Sequence, residues 1–101
     1  MNARITATAQ STPDNVMTNF DLEKLVDTSD EWIQSRTGIV QRHVVTDDEA
    51  SSDISTRIAR SLIEQRGISS NEIDLIIVGT VTPDHFTPST AALVQKNINA
   101  K

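Results

Sequence analysis

The clearest hydrophobic pattern lies in residues 51–67, SSDISTRIARSLIEQRG. Its apolar side chains recur at the spacing of one helix face, which predicts an amphipathic helix with a buried stripe. The stripe consists of Ile54, Ile58, Ala59, Leu62 and Ile63. Ser51 or Ser52 can cap the start of this helix, since a serine hydroxyl accepts a hydrogen bond from a free backbone N–H. Gly67 is placed to end it.

A second hydrophobic pattern, IDLIIVGTV at residues 73–81, is continuously apolar at its centre and predicts a strand buried on both faces of a largely parallel sheet. Weak alternation over residues 4–10 predicts another strand, and the β-branched residues 40–46 predict an extended segment. Residues 11–19 are turn-rich. The order of elements indicates an α/β fold, a mixed sheet with flanking helices. Because an apolar central strand needs neighbours, the chain is expected to belong to a larger α/β unit.

Boundary residues mark the remaining helices. Asn19 is placed to cap a short helix that follows it. Thr28 and Glu31 have the spacing of a capping box, in which each side chain satisfies a backbone N–H at the helix start. Gly38 suits a left-handed C-terminal residue, so the two signals together predict a helix over residues 29–37. Further helix starts are marked by Ser69 and Ser89.

Composition narrows the classes of function. The 101 residues are 37% hydrophobic and 3% aromatic, with a net charge of −5 and a pI of about 4.8. Nucleic-acid binding needs a basic surface, so no nucleic-acid partner is expected. The chain has no cysteine, and His43 and His85 lie far apart, so neither a cysteine nucleophile nor a metal site is expected in it. It shows no signal-peptide pattern and no apolar run of membrane-spanning length, which predicts a cytoplasmic protein without a membrane partner.

The segment VDTSDEWIQSRTGI places Thr28, Trp32 and Arg36 four residues apart, along one side of a helix. An indole offers a flat face to a planar ring, a guanidinium stacks on rings or holds phosphate, and a hydroxyl near a helix N-terminus favours an anion. Together they suit a nucleotide with phosphates, such as the adenine end of coenzyme A (CoA). Spacing alone favours a competing interpretation, in which Trp32 packs on a neighbour, Thr28 only caps the helix and Arg36 is solvated.

Two long motifs occur in order along the chain, TNFDLEKLVDTSDEWIQSRTGI and IDLIIVGTVTPDHFTPSTAALVQ. They resemble β-ketoacyl-acyl-carrier-protein synthase III, the enzyme that starts bacterial fatty-acid synthesis, and the similarity covers about residues 4–98. The resemblance implies the incomplete N-terminal portion of a thiolase-like fold. Residues 1–101 would be the N-terminal fragment of the first of its two similar half-domains.

The resemblance also implies an activity for the full-length enzyme. Such enzymes are homodimers that take an acyl group from acyl-CoA onto a cysteine and condense it with malonyl-acyl-carrier protein, with loss of carbon dioxide. A histidine and an asparagine stabilise the developing charges. In the family all three residues come later than Lys101, so this chain is expected to carry no catalytic residue and to be inactive alone. Acyl-CoA is a substrate, so no cofactor is expected.

The same resemblance implies roles for individual residues. Positions matching Trp32 and Arg36 sandwich the CoA adenine at the mouth of the substrate tunnel, and the position matching Thr28 contacts the same end. Many members carry a bulky aromatic residue that reaches across the dimer into the partner's acyl pocket. This chain has Thr87 at that position, beside Phe86, which predicts tolerance of longer acyl groups.

Two other functions stay open at this point. One is a stand-alone, non-catalytic α/β module that binds CoA or dimerises. The other is a different thiolase-type enzyme, such as a relative of hydroxymethylglutaryl-CoA synthase or of chalcone synthase. The coding sequence beyond Lys101 would distinguish these functions, since it would show whether a cysteine loop and downstream acid–base residues follow.

Overall fold

The computed structural model describes residues 2–101. These residues form two compact units. The first, here called the helical unit, consists of residues 2–11 and Glu49–Lys101. The second, here called the 12–48 unit, consists of Thr12–Asp48.

The 12–48 unit contains a two-stranded antiparallel sheet and two helices. In chain order its elements are β1 (Asn15–Thr18), α1 (Asn19–Glu23), α2 (Asp30–Thr37) and β2 (Gln41–Val44). The register runs from Asn15 opposite Val44 to Thr18 opposite Gln41. The extended segment predicted around residues 40–46 is therefore confirmed at its centre. The turn-rich interpretation of residues 11–19 is wrong for β1, because pairing with β2 outweighs the local turn preference of its neighbours.

Helix α1 begins one residue earlier than predicted. Thr18, not Asn19, is the N-cap: its Oγ1 accepts a hydrogen bond from the Asp21 N–H at 3.1 Å, and Asp21 Oδ2 accepts one from the Thr18 N–H at 3.1 Å. This reciprocal pair is a capping box. Asn19 lies inside the helix and is fully buried. Its side chain is therefore available for contacts with other elements.

The helical unit contains α3 (Ser51–Arg66), a 3-10 turn (Ser70–Glu72) and α4 (Thr90–Asn97). The predicted amphipathic helix is confirmed as α3, which ends at Gly67 with a φ of 62°. Ser69 and Ser89 cap the two later elements, as predicted. Val94 and Ile98, at the end of the chain, are buried. Between α3 and α4, the Asn97 side chain donates a hydrogen bond to Thr56 Oγ1 at 3.1 Å.

The start of α3 differs from the prediction. Ala50 occupies the N-cap position, and its N–H donates to Asp53 Oδ2 at 2.9 Å. Ser51 and Ser52 lie within the first turn and bind the loop before α4 instead. Ser52 Oγ and N–H donate to the two carboxylate oxygens of Asp84, at 2.5 and 2.9 Å. The hydrogen bond from the Ser52 hydroxyl lowers the pKa of Asp84 below its ordinary value.

Residues 73–81 and 4–10 form no strand within residues 2–101, so these two strand predictions are wrong for this structure. A strand exists only where a neighbour supplies backbone hydrogen bonds, and an apolar run alone does not supply them. Alternate side chains of residues 75–78 are nevertheless partly buried, since Ile76 and Val78 are half-buried while Leu75 and Ile77 are exposed. An apolar cavity of about 530 Å³ is lined by residues 75–79, by Thr6 and Ala7, and by the part of the α3 stripe that runs from Ile58 to Ile63.

The capping box of α1 generates a pH-dependent prediction. Hydrogen bonds from the Thr18 side chain and backbone, with a smaller contribution from Lys24, lower the pKa of Asp21 from 3.8 to about 2. A lowered folded-state pKa stabilises the fold above the unfolded pKa, and this contribution is lost as the pH falls from about 4 through about 2. Thr18→Val should raise the pKa of Asp21, measured by NMR titration of its side-chain carboxyl carbon.

Lys24→Gln is the matched control for this titration. It removes the ion pair with Asp21 but leaves the threonine hydroxyl in place, so it should raise the pKa of Asp21 less than Thr18→Val does. A larger rise in the Lys24 variant would show that the ion pair, rather than the cap, holds the carboxylate in its charged form.

Candidate CoA-binding site on helix α2

Helix α2 begins after Ser29 rather than Thr28. Ser29 has an extended backbone, with a φ of −142°, and its Oγ accepts a hydrogen bond from the Trp32 N–H at 3.1 Å. The predicted capping box of Thr28 and Glu31 is therefore wrong. Thr28 and Ser29 are both suitable N-caps by residue type, and the capping-box spacing from Thr28 to Glu31 favoured Thr28, which is the wrong one. The predicted end is confirmed, since Gly38 adopts a left-handed φ of 71°.

The first turn of α2 is also held from outside the helix. The Asp30 N–H, one of the free donors at the helix start, donates to Glu23 Oε1 at 2.6 Å. The Asp30 carboxylate accepts from the Asn19 side chain at 2.8 Å through one oxygen and from Gln34 at 2.7 Å through the other. Sequence reasoning missed both Glu23 and Asn19, because no local spacing relates them to α2.

One face of α2 is buried and another is open to solvent. Ile33 is only 7% exposed, whereas the adjacent Trp32 is 55% exposed. The Arg36 guanidinium carbon lies 5.7 Å from the centre of the Trp32 ring, within the range of a cation–π contact. The structure thus brings these two predicted site residues together on an accessible helix face. Within residues 2–101, Trp32 is therefore not a buried core residue.

Thr28 is not part of this helix face. It lies two residues before the first helical residue, Asp30, and is half-buried. The i, i+4, i+8 argument fails for it because that argument requires all three residues to be helical. The contiguous candidate site is the pair Trp32 and Arg36, and a CoA contact by Thr28 stays a prediction.

The charges along α2 are asymmetric. Asp30 and Glu31 lie in its first turn and Arg36 in its last turn. Within residues 2–101 the two salt bridges are Lys24–Asp21 and Arg57–Glu49, so neither engages Arg36. Its guanidinium is therefore able to bind an external anion beside an exposed indole. Anionic groups of a ligand are favoured at the Arg36 end and disfavoured near Asp30.

Thr87, the predicted acyl-pocket residue, belongs to the helical unit and lies in the exposed loop before α4. Phe86 beside it is also fully exposed. The same loop is anchored through Asp84, which binds the start of α3. The acyl-pocket role of Thr87 stays a prediction.

The described part of the chain, residues 2–101, contains the four helices α1 to α4. None of its helices is both long and apolar enough to cross a bilayer. No group of three or more histidine, cysteine, aspartate or glutamate side chains within residues 2–101 is arranged to hold a metal ion.

Known proteins resemble the chain in both sequence and structure. The β-ketoacyl-[acyl-carrier-protein] synthase III of Chlorobaculum tepidum is 55% identical over 102 residues, which cover 100% of this chain and 31% of the relative. The crystal structure of 3-oxoacyl-[acyl-carrier-protein] synthase III from Aquifex aeolicus matches 93% of this chain and 30% of its own, with a TM-score of 0.86 and 47% identity. The synthase III from Thermus thermophilus gives a TM-score of 0.86 at 44% identity over 98% of this chain and 31% of its own. No protein-family model matches the chain.

Over nearly its whole length the chain is similar, in sequence and in fold, to β-ketoacyl-[acyl-carrier-protein] synthase III proteins, of which it covers 30–31%. This confirms the predicted resemblance and the α/β, thiolase-like fold class. The chain spans about 31% of the length of the curated synthase III relative from Chlorobaculum tepidum. Within that span, this chain presents the Trp32–Arg36 pair on the open face of α2.

The corrected cap of α2 predicts different effects for two adjacent substitutions in this chain. Ser29→Ala removes the acceptor for the Trp32 N–H and should lower the free energy of unfolding by about 1 kcal/mol. Thr28→Ala, the matched control, should change it by less than about 0.5 kcal/mol. Denaturant unfolding followed by the fluorescence of Trp32, the only tryptophan, measures both. Equal losses in the two variants would contradict the assignment of Ser29 as the cap.

Proposed function

We propose that this chain is the CoA-binding part of a condensing enzyme that takes an acyl group from acyl-CoA and joins it to malonyl-acyl-carrier protein, starting fatty-acid synthesis. The observation that supports this function best is the exposed Trp32 ring with the Arg36 guanidinium beside it. That pair lies in a sequence 55% identical to a β-ketoacyl-[acyl-carrier-protein] synthase III. An exposed indole beside a guanidinium that forms no salt bridge within residues 2–101 suits a planar ligand that carries negative charge.

The chemistry of the pair fits the nucleotide end of CoA. The adenine ring stacks on the indole or between the indole and the guanidinium, since both present flat, polarisable faces. The CoA phosphates are attracted towards Arg36 and repelled by Asp30 and Glu31 in the first turn of the same helix. This charge order gives the bound nucleotide a direction along α2. A hydrogen bond from Thr28 to the same end of CoA is part of the proposal.

The condensation itself would be performed by residues outside this chain. A thioester exchanges its acyl group with a thiolate, and the chain contains no cysteine. CoA enters here as part of a substrate and not as a resident cofactor. The homodimer, the malonyl-acyl-carrier-protein partner and a cytoplasmic location belong to the same proposal.

Truncating Trp32 tests the CoA-binding role in the full-length enzyme that carries this sequence. Trp32→Ala should remove stacking of about 1–3 kcal/mol. The KM for acyl-CoA should rise more than kcat falls, because adenine lies far from the reacting thioester. Steady-state kinetics with acetyl-CoA measure both constants.

The matched control is Phe20→Ala. Phe20 is another exposed aromatic residue of the 12–48 unit, 60% exposed, and it is not part of the pair. This variant should leave the KM for acyl-CoA unchanged. An unchanged KM in the Trp32 variant, or equal rises in both variants, would contradict the proposed site.

Position 87 tests the proposed acyl pocket. A threonine leaves volume that an aromatic ring would fill, and each additional buried methylene contributes about 0.8 kcal/mol. Thr87→Phe should therefore lower kcat/KM selectively for octanoyl- and dodecanoyl-CoA and spare acetyl-CoA. Phe86→Ala is the control for a nearby change in aromatic volume. The same chain-length profile for the wild-type enzyme and Thr87→Phe would show that residue 87 does not limit the pocket.

A further inference from the structure

Asn19, in the first turn of α1, is a polar residue whose side chain is completely buried. Its relative exposure is 0%, and it is one of the two largest fully buried side chains among the described residues. Burying a carboxamide is unfavourable unless its polar atoms find partners. Every polar group of this side chain has one. The Nδ2 group donates to Asp30 Oδ1 at 2.8 Å and to the Ile39 carbonyl at 2.8 Å, and Oδ1 accepts from an Arg42 guanidinium nitrogen at 2.6 Å.

These partners lie at both ends of α2. Asp30 is the first residue of that helix, and Ile39 follows its C-terminal cap, Gly38. Arg42 belongs to β2, which continues from the same segment, and also donates to the Met17 carbonyl of β1 at 3.3 Å. One buried side chain therefore connects the start of α2, the chain just beyond its end and the sheet.

The hydrogen bonds of this connection run in one direction, from donor to acceptor. Asn19 accepts from a cation, Arg42, and donates to an anion, Asp30, so two of its bonds are charge-assisted. The second Asp30 oxygen accepts from Gln34 at 2.7 Å, which continues the series onto the helix itself. Only a carboxamide supplies this combination of two donors and one acceptor at that length. Aspartate has the same shape but no donor, and leucine has neither a donor nor an acceptor.

We propose that Asn19 is a positioning residue for the CoA site, which holds α2 from both ends so that Trp32 and Arg36 face the ligand as a pair. This inference rests on the proposed function. Asn19 is buried and does not reach the ligand, so it acts through α2. A shift or fraying of either helix end would separate the guanidinium from the ring, since the two residues lie one turn apart on an eight-residue helix.

The test measures binding and geometry in the 101-residue chain. Trp32 is its only tryptophan, so acrylamide quenching and the emission maximum report the surroundings of α2 without ligand. Isothermal titration with CoA measures affinity. Asn19→Asp keeps the side-chain shape, removes both donors and places a carboxylate against Asp30. It should change the quenching of Trp32 and weaken CoA binding roughly tenfold, as expected when charge-assisted hydrogen bonds are lost.

Two further variants separate positioning from general stability. The double variant Asn19→Asp/Asp30→Asn restores a hydrogen bond between the two side chains with the donor on the other residue. It restores the contact at the start of α2 but not the bond to the Ile39 carbonyl, so it should recover part of the affinity and of the wild-type quenching. Ser52→Ala removes a buried, hydrogen-bonded side chain from the helical unit and should alter neither reading. Far-UV circular dichroism establishes that each variant is folded.

The outcomes distinguish this inference from the proposed function. If the wild-type chain binds CoA and Asn19→Asp binds it equally well with unchanged quenching, the positioning role is wrong and the proposed function stands. Equal loss of affinity in Ser52→Ala, or no recovery in the double variant, would also overturn the positioning role. If the wild-type chain is folded by circular dichroism and does not bind CoA, the proposed function fails and the CoA part of this inference fails with it.

Discussion

The buried Asn19 carboxamide is the contact on which the 12–48 unit depends. This unit has a short two-stranded sheet and two short helices, and Ile33 is the only buried apolar side chain within residues 12–48. So small an apolar core contributes little stability, and short helices are marginal by themselves. The hydrogen bonds of Asn19 with Arg42 and Asp30 therefore do much to fix how the helices and the sheet of this unit are arranged. Low dielectric strengthens such bonds when every group is satisfied, which is the case here.

Helix ends were predicted from the sequence more accurately than helix starts. Gly38 and Gly67 end α2 and α3 as predicted, because the left-handed conformation at those positions is readily adopted by glycine and by few other residues. Starts are less specific, since serine, threonine, aspartate and asparagine cap almost equally well. Where two such residues are adjacent, as at Thr18–Asn19 and Thr28–Ser29, residue type does not decide between them. The tertiary contacts of Asn19 decide the first case.

Strands were predicted less well because a strand is a property of two segments. Residues 15–18 carry turn-forming neighbours yet pair with residues 41–44. Residues 73–81 have the stronger apolar pattern yet form no ladder within residues 2–101. Periodicity measures the tendency to be buried, and that tendency is present in the half-buried Ile76 and Val78. It contains no information about which segment will supply the backbone hydrogen bonds.

The candidate site shows the same division between local and long-range information. The i, i+4 spacing of Trp32 and Arg36 was enough to predict a shared, exposed helix face, because helix geometry relates those residues directly. Asn19 could not be predicted, since it lies 11 residues before Asp30 and 23 before Arg42. An exposed pair that offers an indole and a guanidinium to a ligand gains little stability from its own contact. Its geometry must therefore be fixed by hydrogen bonds on the buried side of α2, away from the ligand. Asn19 is the buried polar side chain that forms such bonds at both ends of α2.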